Sequence, residues 1–216
     1  MNILFDLDGT LSDSKNEVTR CLAYALNSLQ VAVPERAILE RYLGPPLRDC
    51  FASLLATDDK ALIERAVLLY REHFADVGIR EAQLYPGASN ALAQLKEDGH
   101  KLFLATSKAE INARRTVQHL GIESYFVAAY GDTLAGERPN KTSLIAHILK
   151  VEELAPTTTV MVGDRDLDAL GARANGVRSI GVLWGYGTPE ELRKADHTVD
   201  SWSALLHCLE DLSCNL

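Results

Sequence analysis

The stretch NILFDLDGT, Asn2 to Thr10, carries the deciding pattern: a short β-favouring run passes directly into two carboxylates and a glycine. Residues two apart on a strand face the same side, so Asp6 and Asp8 project together while Leu7 turns into the packing. At about 4 Å two carboxylates repel by roughly 1 kcal/mol in water and about 4 kcal/mol at an effective dielectric of 20. A half-buried pair therefore needs a cation or a shifted proton. Gly9 permits a tight turn, and Thr10 suits the cap of the turn that follows. DxDG alone also fits an acidic turn or a calcium-type loop; the apolar strand leading straight into it argues against both.

Outward from this segment, β-favouring runs recur at KLFLA (101–105), YFVAAY (125–130), TVMVG (159–163) and SIGVLW (179–184). Helical patterns lie between them, at 88–98 closed by Gly99 and at 109–120 closed by Gly121, where glycine suits a left-handed cap. Strands alternating with helices predict an α/β fold, a Rossmann-like three-layer core around a parallel sheet. From about Ser14 to Ile79 the alternation stops. Val18, Cys21, Leu22, Ala25, Leu26 and Leu29 keep helical spacing, and Pro34, Gly44-Pro45-Pro46 and Asp58-Asp59 punctuate about four helices. The expected organisation is a core of residues 1–13 and 82–216 with a helical cap domain at 14–81. Linkers are expected near Leu11 to Ser14 and Gly78 to Leu84. SWSALLHCLEDL near the C-terminus reads as an amphipathic helix closing the core.

Composition narrows the partners. The 216 residues are 47% apolar and 24% charged, which suits a globular chain with a sizeable core. A formal charge of −8 repels phosphate backbones and anionic lipid at long range, so neither nucleic acid nor membrane is an expected partner. Cys21, Cys50, Cys208 and Cys214 form no CxxC pair, and no signal peptide or spanning run is visible. The expectation is a cytoplasmic protein, monomer or homodimer.

A second acidic cluster, GDRDLD, follows the fourth strand. If a helix starts there, Asp164 and Asp168 share one face. The ends of strands one and four open on the same sheet edge, where α/β folds bind ligands. Carboxylates converging there favour a hard divalent cation, with magnesium the natural choice. Acidic residues at a helix start would explain Asp164 alone, but not the matching cluster after strand one. After the second strand, Ala105-Thr106-Ser107-Lys108 offers hydroxyls and helix-start N–H groups to a phosphate, although Thr-Ser is also an ordinary cap. Lys141 stands at a helix start, a poor place for a cation unless it meets an anion; a solvated lysine is the plainer reading.

Together these residues resemble the haloacid dehalogenase superfamily of hydrolases, in its phosphoglycolate-phosphatase-like branch with a helical cap. DLDGT (6–10) is similar to the first motif, LATS ending in Thr106 and Ser107 to the second, Lys141 to the third and GDRDLD (163–168) to the fourth. The third stretch, GERPNK, lacks the Lys-Pro pair of many members, so Lys141 is assigned by its place at a helix start. The resemblance implies a nucleophile at Asp6 and a general acid and base at Asp8. It also implies phosphate ligands among Gly9, Thr10, Thr106, Ser107 and Lys141, Mg2+ held by Asp6, Asp8 and Asp164, and Asp168 behind them. An acid at Asp8 argues for phosphate esters over carbon–halogen bonds, because a halide leaves without a proton. The expected substrate is a small phosphorylated metabolite such as phosphoglycolate, cleaved through an aspartyl-phosphate. YGDTLAGERPNK, VMVGDRDLDALGARANG and GVLWGYG also resemble members described as 5'-nucleotidases. A sugar phosphomutase and a phosphoacceptor signalling module are the remaining alternatives. Substrate choice is expected in the cap, with LGPPLR (43–48) as the specificity loop and Arg48 meeting a substrate anion; a rigid connector is the plainer reading.

Overall fold

The computed structural model describes residues 1–214. Strand β1 (Asn2–Phe5) enters the centre of a six-stranded sheet, and a two-residue strand β2 (Ser12–Asp13) follows the DLDGT turn. The helical segment comes next: α1 (Lys15–Ser28), a single turn α2 (Arg36–Leu39), α3 (Leu47–Leu54) and α4 (Lys60–Asp76). Asp59 starts α4 by accepting the N–H groups of Ala61 and Leu62, so the expected break at Asp58-Asp59 is an N-cap. Returning strand β3 (Gln83–Leu84) pairs antiparallel with β2, so both crossings between the helical segment and the sheet run side by side as a short ribbon.

The remainder alternates: α5 (Ala88–Glu97), β4 (Lys101–Ala109), α6 (Glu110–His119), β5 (Phe126–Asp132), α7 (Lys141–Val151), β6 (Thr159–Gly163), α8 (Asp166–Ala174), β7 (Arg178–Val182), α9 (Pro189–Leu192), β8 (His197–Val199) and α10 (Trp202–Cys214). Gly99 and Gly121 adopt the positive φ expected of the caps after α5 and α6. The sheet order is β5-β4-β1-β6-β7-β8, with every pairing parallel. The chain winds outward from β1 first through β4 and then through β6, so strand order reverses at β1, where α/β sheets open a crevice.

Period-two alternation along these strands fills two apolar layers. Ile3, Phe5, Leu102, Leu104, Val160 and Val162 pack on one face with Leu92, Val117, Leu205 and Leu209. Leu4, Phe103, Ala105 and Met161 pack on the other with Leu144, Ile145 and Ile148. A third cluster belongs to the helical segment, where Leu22, Leu26, Phe51, Val67, Tyr70 and Phe74 bury one another. Each amphipathic helix thus finds its own apolar partner.

Three expectations are corrected. Strand β4 runs to Ala109 through an irregularity after Ala105, so Thr106 and Ser107 lie on a strand end, three residues short of α6. Strand β7 stops at Val182, leaving Leu183 and Trp184 in the following loop. The edge strand β8 was not anticipated, because His197 and Thr198 are polar and the run is only three residues long.

Candidate active site

The carboxyl ends of β1, β4 and β6 bring the sequence-selected residues to one place. Asp6 continues β1 by donating its N–H to Val162, and its side chain is buried. Its Oδ1 lies 2.8 Å from Lys141 Nζ, whose ammonium also lies 2.6 Å from Asp168 Oδ1 and donates to the Ala105 carbonyl at 2.7 Å. The first residue of α7 can hold a buried cation because its charge is spent on two carboxylates. Burial draws the Lys141 pKa down, but Asp168 and Asp6 outweigh that and hold it above its usual value.

Asp164 lies just before α8 and has no exposed surface. Its oxygens accept the Thr10 hydroxyl at 3.3 Å and the Tyr186 N–H at 2.7 Å. Thr10 therefore serves Asp164 instead of capping the next turn. Gly9 explains the close approach: its φ is +88°, and a Cβ there would sit 2.2 Å from Asp164 Oδ2. Asp168 does not share a helix face with Asp164; it reaches back to accept the Arg165 N–H at 3.1 Å at the start of α8.

Asp6, Asp164 and Asp168 offer oxygens within 4.8 Å of one another. Three buried carboxylates against one ammonium leave two negative charges uncompensated. Burial, with the neighbouring carboxylates adding to it, pushes Asp164 up to about 8. Asp6 is raised to about 6, again by burial, with Lys141 opposing. A donor set of hard oxygens carrying a formal excess of two charges fits a divalent cation such as magnesium. Of the three expected metal carboxylates, the structure brings Asp6 and Asp164 together and adds Asp168. The Asp8 side chain is turned away from this cluster: its Oδ1 lies 2.8 Å from Lys108 Nζ.

Lys108 and Glu17 were given no role from sequence. The Lys108 ammonium also lies 3.2 Å from Glu17 Oε1, on α1, and 4.5 Å from the centre of the Phe74 ring, on α4. Burial pulls the Lys108 pKa down, but Asp8 and Glu17 more than restore it. Glu17 is itself pushed up to about 7 by burial, against the pull of Lys108. Lys108 adjoins the expected Thr106-Ser107 pair, a local signal that could have marked it. Glu17 sits among ordinary helix residues and offers none.

Asp6, Asp8, Thr106, Ser107 and Lys108 form one side of a cavity of about 50 Å³, and Val18, Tyr42, Gly44, Pro45, Tyr70 and Arg71 of the helical segment form much of the other. Small-molecule pockets typically measure about 300–1,000 Å³, so the gap between the helices and the sheet edge is narrower than a typical ligand site. Thr106 is buried and Ser107 half-buried on this wall. The expected specificity loop meets the cavity through Gly44, Pro45 and Leu47. Arg48 does not line it. Its guanidinium is engaged by both carboxylate oxygens of Glu64 and lies 3.1 Å from Asp132 Oδ2, so it ties α3 to α4 and to the end of β5. The arginine on the cavity wall is Arg71, whose Nε is buried without a hydrogen-bond partner. A larger open groove near Arg20, Arg36 and Arg80 contains none of the aspartates described above.

Comparison with known proteins agrees with this geometry. Over 211 residues the chain is 42% identical to a 5'-nucleotidase of Pseudomonas aeruginosa, covering 97% of this chain and 95% of that protein. It is 35% identical to the tyrosine-protein kinase PtkA of Mycobacterium tuberculosis (97% and 71% covered) and 31% identical to a phosphoglycolate phosphatase of Neisseria meningitidis (93% and 87%). The crystal structure of a predicted phosphatase from Clostridium acetobutylicum superposes with a TM-score of 0.93 at 32% identity, over 97% of this chain and 98% of that one. The family profile described as haloacid dehalogenase-like hydrolase matches residues 3–182, and this chain belongs to that family.

Proposed function

We propose that the protein is a magnesium-dependent phosphomonoester hydrolase that works through an aspartyl-phosphate on Asp6. The observation carrying this reading is the placement of Asp6 in a narrow cavity between the sheet edge and the helical segment, fixed by Lys141, with Asp8, Thr106 and Ser107 lining the same cavity. Asp6, Asp164 and Asp168 would hold the cation, which supplies positive charge to offset the phosphoryl oxygens. An Asp6 oxygen attacks phosphorus as the ester P–O bond breaks, and Asp8 gives its proton to the departing oxygen. In the second half, Asp8 takes a proton from the attacking water, the acyl phosphate is cleaved, and Asp6 and free phosphate are regenerated. Thr106 and Ser107 donate hydrogen bonds to the phosphoryl group, and the closed helices keep bulk water out. Lys141 holds Asp6 in line for attack. The helical segment acts as a cap domain that swings on the β2–β3 ribbon.

The preferred substrate is a small monoester whose alcohol carries an anion, phosphoglycolate being the simplest. Support comes from Arg71, half-buried on the cavity wall, whose Nε is unpartnered while its terminal nitrogens reach the Leu134 carbonyl at 3.4 Å and lie 4.0 Å from Asp132 Oδ2. Nucleoside monophosphates are the second reading, favoured by the 42% identity to the Pseudomonas enzyme. The test is phosphate release with magnesium across a panel holding phosphoglycolate, nucleoside monophosphates and 4-nitrophenyl phosphate, for the natural chain and Asp6→Asn. Many turnovers without a bisphosphate activator, abolished in Asp6→Asn, are expected. About one equivalent of phosphate taken up would point to a phosphoacceptor module, a need for a bisphosphate to a mutase, and activity retained in Asp6→Asn would refute the nucleophile.

A further inference from the structure

We propose that Glu17, contributed by the helical segment, is a positioning residue for Asp8 and acts on it through the Lys108 ammonium. The proposal rests on the phosphomonoesterase reading, in which Asp8 protonates the leaving group.

The chain of contacts is continuous. Lys108 Nζ stands 2.8 Å from Asp8 Oδ1 and 3.2 Å from Glu17 Oε1, and the side chains of all three are 15% exposed or less. A lysine is a point charge on a flexible four-carbon stem, so one partner does not fix where its ammonium stands. Here Glu17 and the face of Phe74 fix it from the helical side. With the ammonium fixed, Oδ1 of Asp8 is tethered, and that decides which carboxyl oxygen is left for a departing ester oxygen.

Stability alone gives Glu17 no reason to be there. Its side chain has no exposed surface, Oε2 finds no hydrogen-bond partner, and the surrounding helical core is apolar. Exchanging a whole buried ion pair for apolar side chains is commonly neutral or stabilising, so the helical core itself does not call for a carboxylate at this point. What an apolar residue cannot do is hold Lys108. Glu17 and Phe74 belong to α1 and α4, whereas Asp8 and Lys108 belong to the sheet layer. Asp8 is therefore aimed only when the two layers are packed together, which joins closure over the substrate to the proton transfer that expels its alcohol.

A pair of aryl esters separates this from a packing role. The phenolate of 4-nitrophenyl phosphate leaves readily without a proton, whereas the more basic phenolate of phenyl phosphate needs one. In Glu17→Gln, kcat/KM with magnesium should fall about tenfold more for phenyl phosphate than for 4-nitrophenyl phosphate, a part of the 10²- to 10⁴-fold that general acids contribute. Glu17→Met gives the same comparison without leaving an amide in the apolar site, and it should show the same selective loss, whereas a mere packing role would slow both esters alike. Equal losses on both esters, or none on either, would overturn the proposal while leaving the hydrolase reading intact. If the natural protein fails to hydrolyse 4-nitrophenyl phosphate at all, the hydrolase reading itself falls.

Discussion

Chelating the protein and following its stability against pH probes the charge excess at the carboxylate cluster. Burial raises Asp6 from 3.8 to about 6, Asp164 from 3.8 to about 8 and Glu17 from 4.5 to about 7. An unfolded chain has largely released these protons by about pH 5, but the folded chain has not. The folded state therefore binds more protons, and stability present at low pH is lost as pH rises through the folded values. His100, lowered by burial, has the opposite sign, but it is a single group titrating near its ordinary range. Between about pH 6 and 7 the folded chain holds roughly one to two extra protons, a slope of about −1.4 to −2.7 kcal/mol per pH unit. Against a total of about 5–15 kcal/mol, that loss is large. Urea unfolding followed by circular dichroism, at several pH values from about 5 to 8.5 in a chelator, measures it. Asp164→Asn should reduce the slope to the share left by Asp6 and Glu17. Magnesium should restore stability most at the alkaline end, with proton release on binding visible by calorimetry in buffers of different ionisation enthalpy. A chelated protein whose stability is level or rises from pH 5 to 8 would refute the charge argument.

Lys141→Met leaves Asp6 and Asp168 without their shared ammonium and should cost about 3–5 kcal/mol at pH 8 in chelator, with a smaller loss at pH 5; urea unfolding reads both, and a loss under about 1 kcal/mol at pH 8 counts against the pairing. Arg71→Met should lower kcat/KM about 10- to 100-fold more for phosphoglycolate than for 4-nitrophenyl phosphate, and equal losses would remove Arg71 as the reader of an anionic alcohol. Because the cavity of about 50 Å³ is too small to admit substrate as it stands, the proposed function requires the helical segment to open; the radius of gyration by solution scattering should fall when vanadate and magnesium are added, and no change counts against a hinge at the β2–β3 ribbon.

The sheet was legible because its strands are buried on both faces and read as short apolar runs, and because their order places the acidic clusters at one edge. Asp6 and Asp164 were legible for the same reason, each standing at the end of such a run, whereas Asp168 was reached through a helix face shared with Asp164 that the structure does not form. Strand β8 was not, since His197 and Thr198 are both exposed at an edge where packing asks little of them. The end of β4 was misjudged because Thr-Ser looks like a helix cap, whereas the parallel pairing of Ala109 with Asp132 carries the strand past it. In that case tertiary pairing overrides a local preference.

The division of labour between the two lysines is the part that local sequence could not give. Lys141 and Lys108 each lie between two carboxylates, but Lys141 joins Asp6 to Asp168 within the sheet layer, while Lys108 joins Asp8 to Glu17 across to the helices. A motif reports residues close in sequence; the Lys108–Glu17 pair is made by residues brought together only when the helical segment docks. The same holds for the two arginines. Arg48 adjoins the double proline and looks exposed to ligand, but Glu64 and Asp132 take up its charge, and Arg71, unmarked in the middle of α4, is left facing the cavity. Which arginine reaches the cavity is decided by how the packing places each against its acids, Arg48 on Glu64 and Asp132 and Arg71 4.0 Å from the same Asp132. The convergence of Asp6 and Asp164 was therefore readable from the motifs, while the ion pair that holds Asp8 and the wall facing it across the cavity arise at the seam between two layers.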